Sequence, residues 1–146
     1  PKGRDQTTAR AVRLGFFVTA PAGVSLWIVA PHLLGLLFGD AYSGAIAPLR
    51  ALLPGIIGFS AGAVLAGDFI GRGRPAWNTQ ASLLTVVVNL GTGLWLIPAH
   101  GALGAAWAST AAYLAGTMLM LIRFRHGTNL TWWEILRPRS SDILPS

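Results

Sequence analysis

Five polar residues in the second half of the chain, Asn78, Ser82, Thr85, Asn89 and Thr92, follow one another at spacings of 4, 3, 4 and 3. On a helix this places all five along one stripe, opposite Leu83, Val86, Val87, Leu90 and Leu94. Amides and hydroxyls of this kind exchange hydrogen bonds, and within an apolar segment they have to face protein or water rather than lipid. Two readings follow. The stripe is either hydrogen-bonding glue between helices or one wall of a hydrophilic cavity that passes a sugar-like or ionic substrate.

Two charged residues stand out beside apolar runs. Arg50 either meets an anionic substrate group or snorkels to the headgroups. Asp68 lies four residues before Arg72, which suits an i, i+4 ion pair; the alternative is a carboxylate that couples a cation or proton to transport. Enzymatic chemistry finds no foothold. His32, His100 and His126 lie in separate segments without metal-ligand spacing, no serine has a nucleophile-elbow context, and there is no cysteine. Gly71-Arg72-Gly73-Arg74 lacks the Lys-Ser/Thr ending of a phosphate loop. The expectation is a non-enzyme with no catalytic residue, cofactor or metal.

The elements that carry these residues follow from the distribution of charge. Of 146 residues, 53% are hydrophobic and 11% charged, where a soluble domain has about a quarter charged. No Asp, Glu, Lys or Arg occurs from Leu14 to Gly39, from Ala51 to Gly67, or from Pro75 to Ile122. A crossing takes about 20 apolar residues, so the third run is long enough for two, with Pro98-Ala99-His100-Gly101 as the turn. The expected fold is an all-α integral membrane protein with four transmembrane helices at about 13–38, 46–70, 76–97 and 102–124. Kinks are expected near Pro21 and Pro31, with neighbouring helices satisfying the freed carbonyls.

Residues 1–13 form a basic flank and 14–124 the membrane segment. Residues 125–146 form a tail, in which 128–137 reads as a short interfacial helix carrying Trp132 and Trp133. The chain opens on Pro1 without a signal-peptide core and is read as a segment of a longer protein. Small residues recur every fourth position at Gly58, Gly62 and Ala66, and again at Gly104, Ala108, Ala112 and Gly116, a spacing that permits close helix approach. Ten of the eleven Lys and Arg fall in clusters that four crossings put on one side, and only Arg50 falls on the other. The positive-inside rule places that side, and both chain ends, in the cytoplasm. The net charge of +6 is thereby explained by topology, and no nucleic-acid partner is expected.

The order of motifs carries a resemblance. Leu36-Leu37-Phe38-Gly39-Asp40-Ala41-Tyr42-Ser43-Gly44-Ala45, then Gly71-Arg72-Gly73-Arg74, then Val88-Asn89-Leu90 leading through Ile97-Pro98-Ala99-His100-Gly101 to Gly104-Ala105-Ala106, are similar to the carboxy-terminal part of polysaccharide biosynthesis proteins. These are lipid-linked oligosaccharide (O-antigen type) flippases, of the superfamily that includes lipid II flippases and multidrug and toxin exporters. The resemblance implies a two-bundle transporter of the inner (plasma) membrane, with this chain as the last four helices of the second bundle. Its implied partners are the lipid bilayer, a polyprenyl-diphosphate-linked saccharide and the remaining N-terminal helices. A related multidrug or lipid II exporter is the alternative, and a membrane glycosyltransferase, polymerase or structural module is the alternative of another class.

Overall fold

The computed structural model describes residues 2–128, and these are helical apart from short connections. Helix α1 spans Lys2–Phe38, a short 3-10 segment follows at Asp40–Ala45, α2 spans Ile46–Gly71 and α3 spans Pro75–Gly127. The expected interfacial helix at 128–137 lies, apart from an extended Thr128, outside the described residues.

Helix α1 starts well before the expected boundary near Arg13. Loss of hydropathy marks where a segment leaves lipid, not where a helix stops, and residues 2–13 contain no proline or turn sequence to halt it. The helix also runs on through Pro21 and Pro31. It ends at Gly39, whose φ of 74° favours glycine, and α2 ends in a loop where Gly73 has φ 68°.

Three helices are long and apolar enough to cross a membrane, where four were expected. The difference lies in α3, whose 53 residues would extend roughly 80 Å as a straight helix. The helical assignment continues through Pro98 to His100, and the reversal is concentrated at Gly101, with φ 56° and ψ −130°. The two expected spans are therefore limbs of one element, 75–100 and 102–127.

The limbs lie antiparallel against one another. Asn89 Nδ2 donates to Ser109 Oγ at 3.3 Å, a Cβ at Gly93 would lie 3.9 Å from Ala108 Cβ, and Gly127 approaches the Trp77 ring. At the top of the hairpin Gly104 sits directly on the backbone of Leu96. Helix α2 packs along both α1 and α3. The small-residue rows contribute to these approaches, with Gly62 facing Thr117 and Ala108 and Ala112 buried, and Gly55, outside the rows, comes close enough that a Cβ there would lie 2.7 Å from Thr110 Cα.

The core gathers at one end, where Val12, Ala61, Leu65, Phe69 and Phe124 are buried together with Trp77, Met120 and Leu121 packed against them. Elsewhere the outer faces are apolar and exposed, with Leu83, Val86, Val87, Leu90 and Leu94 all more than half accessible. Such a surface suits lipid or further helices as its surroundings.

Candidate functional site

The polar stripe on the first limb of α3 turns toward the bundle. Asn78 Nδ2 donates to the Ala66 carbonyl of α2 at 3.0 Å, and Asn89 reaches Ser109 on the second limb. Thr85 and Thr92 bond back to Ala81 and Val88 of their own helix, at 2.9 and 2.6 Å. Thr85 also packs against Gly116. Ser82 is the exposed member. The structure thus places four of the five stripe residues partly inside the bundle.

Arg50 is held by a consequence of proline chemistry. Pro31 has no N–H, so the carbonyl of Trp27 four residues earlier has no partner within α1. Arg50 Nε donates to that oxygen at 2.9 Å, and its guanidinium lies 4.3 Å from the centre of the Trp27 ring. The expected rescue of a freed carbonyl by a neighbouring helix is seen here. It occupies one donor of Arg50 and ties the start of α2 to α1.

Asp68 makes the expected pair with Arg72 and more besides. Its Oδ1 accepts from Thr8 Oγ1 at 2.9 Å and lies 3.4 Å from Arg4 Nε, while Arg72 also pairs with Asp5 at 2.7 Å. Burial of the Arg72 guanidinium works against its charge, but the Asp68 and Asp5 carboxylates outweigh it and hold its pKa above the ordinary arginine value. Five side chains from α1 and the α2 terminus therefore form one ionic knot. Sequence reasoning found only the i, i+4 half, because Arg4, Asp5 and Thr8 lie some sixty residues away along the chain. Their shared face on α1, with Thr8 three and four residues beyond Asp5 and Arg4, was the available signal.

Beyond the knot the loop end is basic and aromatic. Arg74 lies 4.5 Å and Arg123 5.9 Å from the Trp77 ring centre, and Arg72 sits 5.6 Å from that of Phe124. The start of α1, the end of α2 and both ends of α3 converge here, whereas Arg50 and Gly101 belong to the opposite end. Among the described residues no group of three or more His, Cys, Asp or Glu is placed to hold a metal ion.

A family model for the lipid II flippase MurJ matches residues 2–139. The chain belongs to the MurJ lipid II flippase family. No curated protein and no solved structure matches it. MurJ-family proteins are flippases rather than enzymes, which agrees with the absence of a catalytic motif in the sequence. The family and the three long apolar helices together describe a multi-pass protein of the inner membrane that belongs with carriers of lipid-linked precursors.

Proposed function

We propose that this chain is the part of a lipid-linked precursor flippase that forms four helices of one bundle, and that its cargo is lipid II. The family match over residues 2–139 carries this reading. The resemblance to O-antigen-type flippases leads to the same superfamily with a different saccharide; the family match favours the lipid II alternative. Both cargoes are polyprenyl-diphosphate-linked saccharides. The test is complementation: the full-length gene should restore growth to cells depleted of their lipid II flippase, and failure there with rescue of an O-antigen flippase mutant would reverse the choice of cargo.

The length of the two α3 limbs supports the same architecture. Each limb of α3 has about 26 residues and a length of roughly 39 Å, enough for a hydrocarbon core of about 30 Å. With each limb crossing once, α1 to α3 make four passages. The convergence of Arg4, Arg10, Arg13, Arg72, Arg74, Arg123 and Arg125 at one end supports a cytoplasmic location for that end. The absence of native cysteine makes this directly measurable. Single cysteines at Ser43 and Ala99 are expected to react with an impermeant thiol reagent in intact cells, and one at Gly73 is expected not to react. Labelling at Gly73 from outside would refute the four-crossing arrangement.

For the stripe, the hydrogen bonds favour packing over a cavity wall. Replacing Thr85 with Val and Asn89 with Leu removes one interhelical bond, worth about 0.6 kcal/mol on average between membrane helices. The double variant is therefore expected to lose a little thermal stability and to transport almost normally per folded molecule. Normal membrane abundance with lost complementation would instead give the stripe, with Arg50, a place in the substrate path. Asp68 is proposed as a structural anion on the same logic.

A further inference from the structure

The two limbs of α3 hold the uncharged run from Pro75 to Ile122, and Arg74 and Arg123 are the first charged residues on either side of it. The fold brings both to one ring. The Arg74 guanidinium carbon lies 4.5 Å and that of Arg123 5.9 Å from the centre of Trp77. The ring is itself held in place, because Phe69 meets it edge-on with centroids 5.1 Å apart. On another side, a Cβ at Gly127 would come 3.2 Å from Trp77 Cη2 and 3.4 Å from Arg74 Nη1, so that glycine leaves room for both side chains. Stacking engages the flat face of a guanidinium and leaves its in-plane N–H groups to bind something else. Arg74 is exposed and Arg123 half-buried.

The distribution of carboxylates decides what those donors meet. The chain has five. Asp5 and Asp68 are engaged by Arg4 and Arg72, two anions against two cations, so the knot is neutral in itself. Asp40 opens the 3-10 segment at the far end of α1. Glu134 and Asp142 each have an arginine three residues away, Arg137 and Arg139, so the tail carries cations for its own carboxylates. Among the described residues neither Arg74 nor Arg123 pairs with a carboxylate. Two uncompensated guanidiniums on an aromatic ring, at the edge of the apolar run, sit at headgroup depth and match the phosphate of a lipid whose tails lie beside the limbs. We infer that Arg74 and Arg123, mounted on Trp77, form a headgroup site for one anionic phospholipid of the leaflet at the basic end. A zwitterionic lipid brings its own cation and gains less there. The inference does not depend on which saccharide is carried.

The experiment places the full-length protein in nanodiscs of phosphatidylglycerol and phosphatidylcholine with identical tails, releases it into detergent and counts the retained lipids by native mass spectrometry. The unaltered protein should keep phosphatidylglycerol in preference to phosphatidylcholine. Arg74→Gln with Arg123→Gln should lower that preference about fivefold or more, the step that one basic residue near an anionic surface is worth. The melting temperature in lipid-free detergent should hardly move, since neither arginine has an ionic partner among the described residues. Arg74→Lys with Arg123→Lys keeps the charge but loses the flat, forked group, and should lose most of the preference too. Full preference in the lysine pair would reduce the effect to diffuse attraction and overturn the site. Glu134→Gln should change nothing. A gain of phosphatidylglycerol on Glu134→Gln would mean that the tail carboxylate occupies the arginines, and would overturn the inference. So would equal retention of the two lipids by the unaltered protein, an outcome that leaves the flippase reading to its own complementation test.

Discussion

Gly104→Ala is expected to destabilise the protein by about 3 kcal/mol, at the upper end of what overpacking costs. The added Cβ would fall on the carbonyl carbon and oxygen of Leu96. That neighbour is backbone, so it cannot swing aside as a side chain would. Moving it means opening the hairpin just below Gly101, where the reversal is already confined to a conformation that side chains rarely adopt. Gly104→Val should therefore yield little folded protein. Gly91→Ala is the control, since a Cβ at Gly91 meets nothing within 4 Å and gains about 0.5–1 kcal/mol of helix preference. Thermal unfolding of the purified full-length protein decides the matter. Equal stability of Gly104→Ala and Gly91→Ala would show that the limbs are not packed as described.

The second large effect concerns Asp68, whose side chain is 5% exposed and faces Arg4, Thr8 and Arg72 at once. Asp68→Asn keeps the size of the side chain and removes its charge, leaving Arg72 with Asp5 alone. Breaking a buried pair from one side costs about 3–5 kcal/mol, and the lower figure applies here because Arg72 is 19% exposed and keeps one partner. Membrane abundance and melting temperature should both fall. Arg72→Gln should cost less on top of Asp68→Asn than it does in the unaltered protein, because the Asp68–Arg72 pair is then already broken and only the pair with Asp5 is left to lose. Transport per folded molecule should stay close to normal throughout. A stable Asp68→Asn protein with no transport would give Asp68 the coupling role instead.

The sequence made the apolar runs, the break after Phe38 and the loop at Gly71-Arg72-Gly73-Arg74 legible, because each depends on local composition or on glycine. The stripe was legible as a stripe, since spacing alone fixes a helical face. What it touches was not, because the Ala66 carbonyl that receives Asn78 is set by the register of α2 against α3. Register also concealed the partners of Asp68 and the use of Arg50. Helix α1 begins ahead of the hydropathy boundary near Arg13 because loss of hydropathy marks the edge of the apolar run and not the end of a helix. The tight turn expected over Pro98 to Gly101 is narrower in the structure, where the helix continues through His100 and the reversal falls on Gly101.

The Arg50 contact with Trp27 and the ionic knot at Asp68 have a joint mechanical consequence. They are eighteen residues apart on α2, roughly 27 Å along its axis, and both grip α1. Sliding α2 along α1 would strip a carbonyl of its sole donor at one end and break a carboxylate away from its cations at the other. Two helices fastened at both ends resist shear as a single strut. The reversals at Gly39 and Gly101 lie at the opposite end from the basic cluster, outside the length of α2 that these two contacts brace.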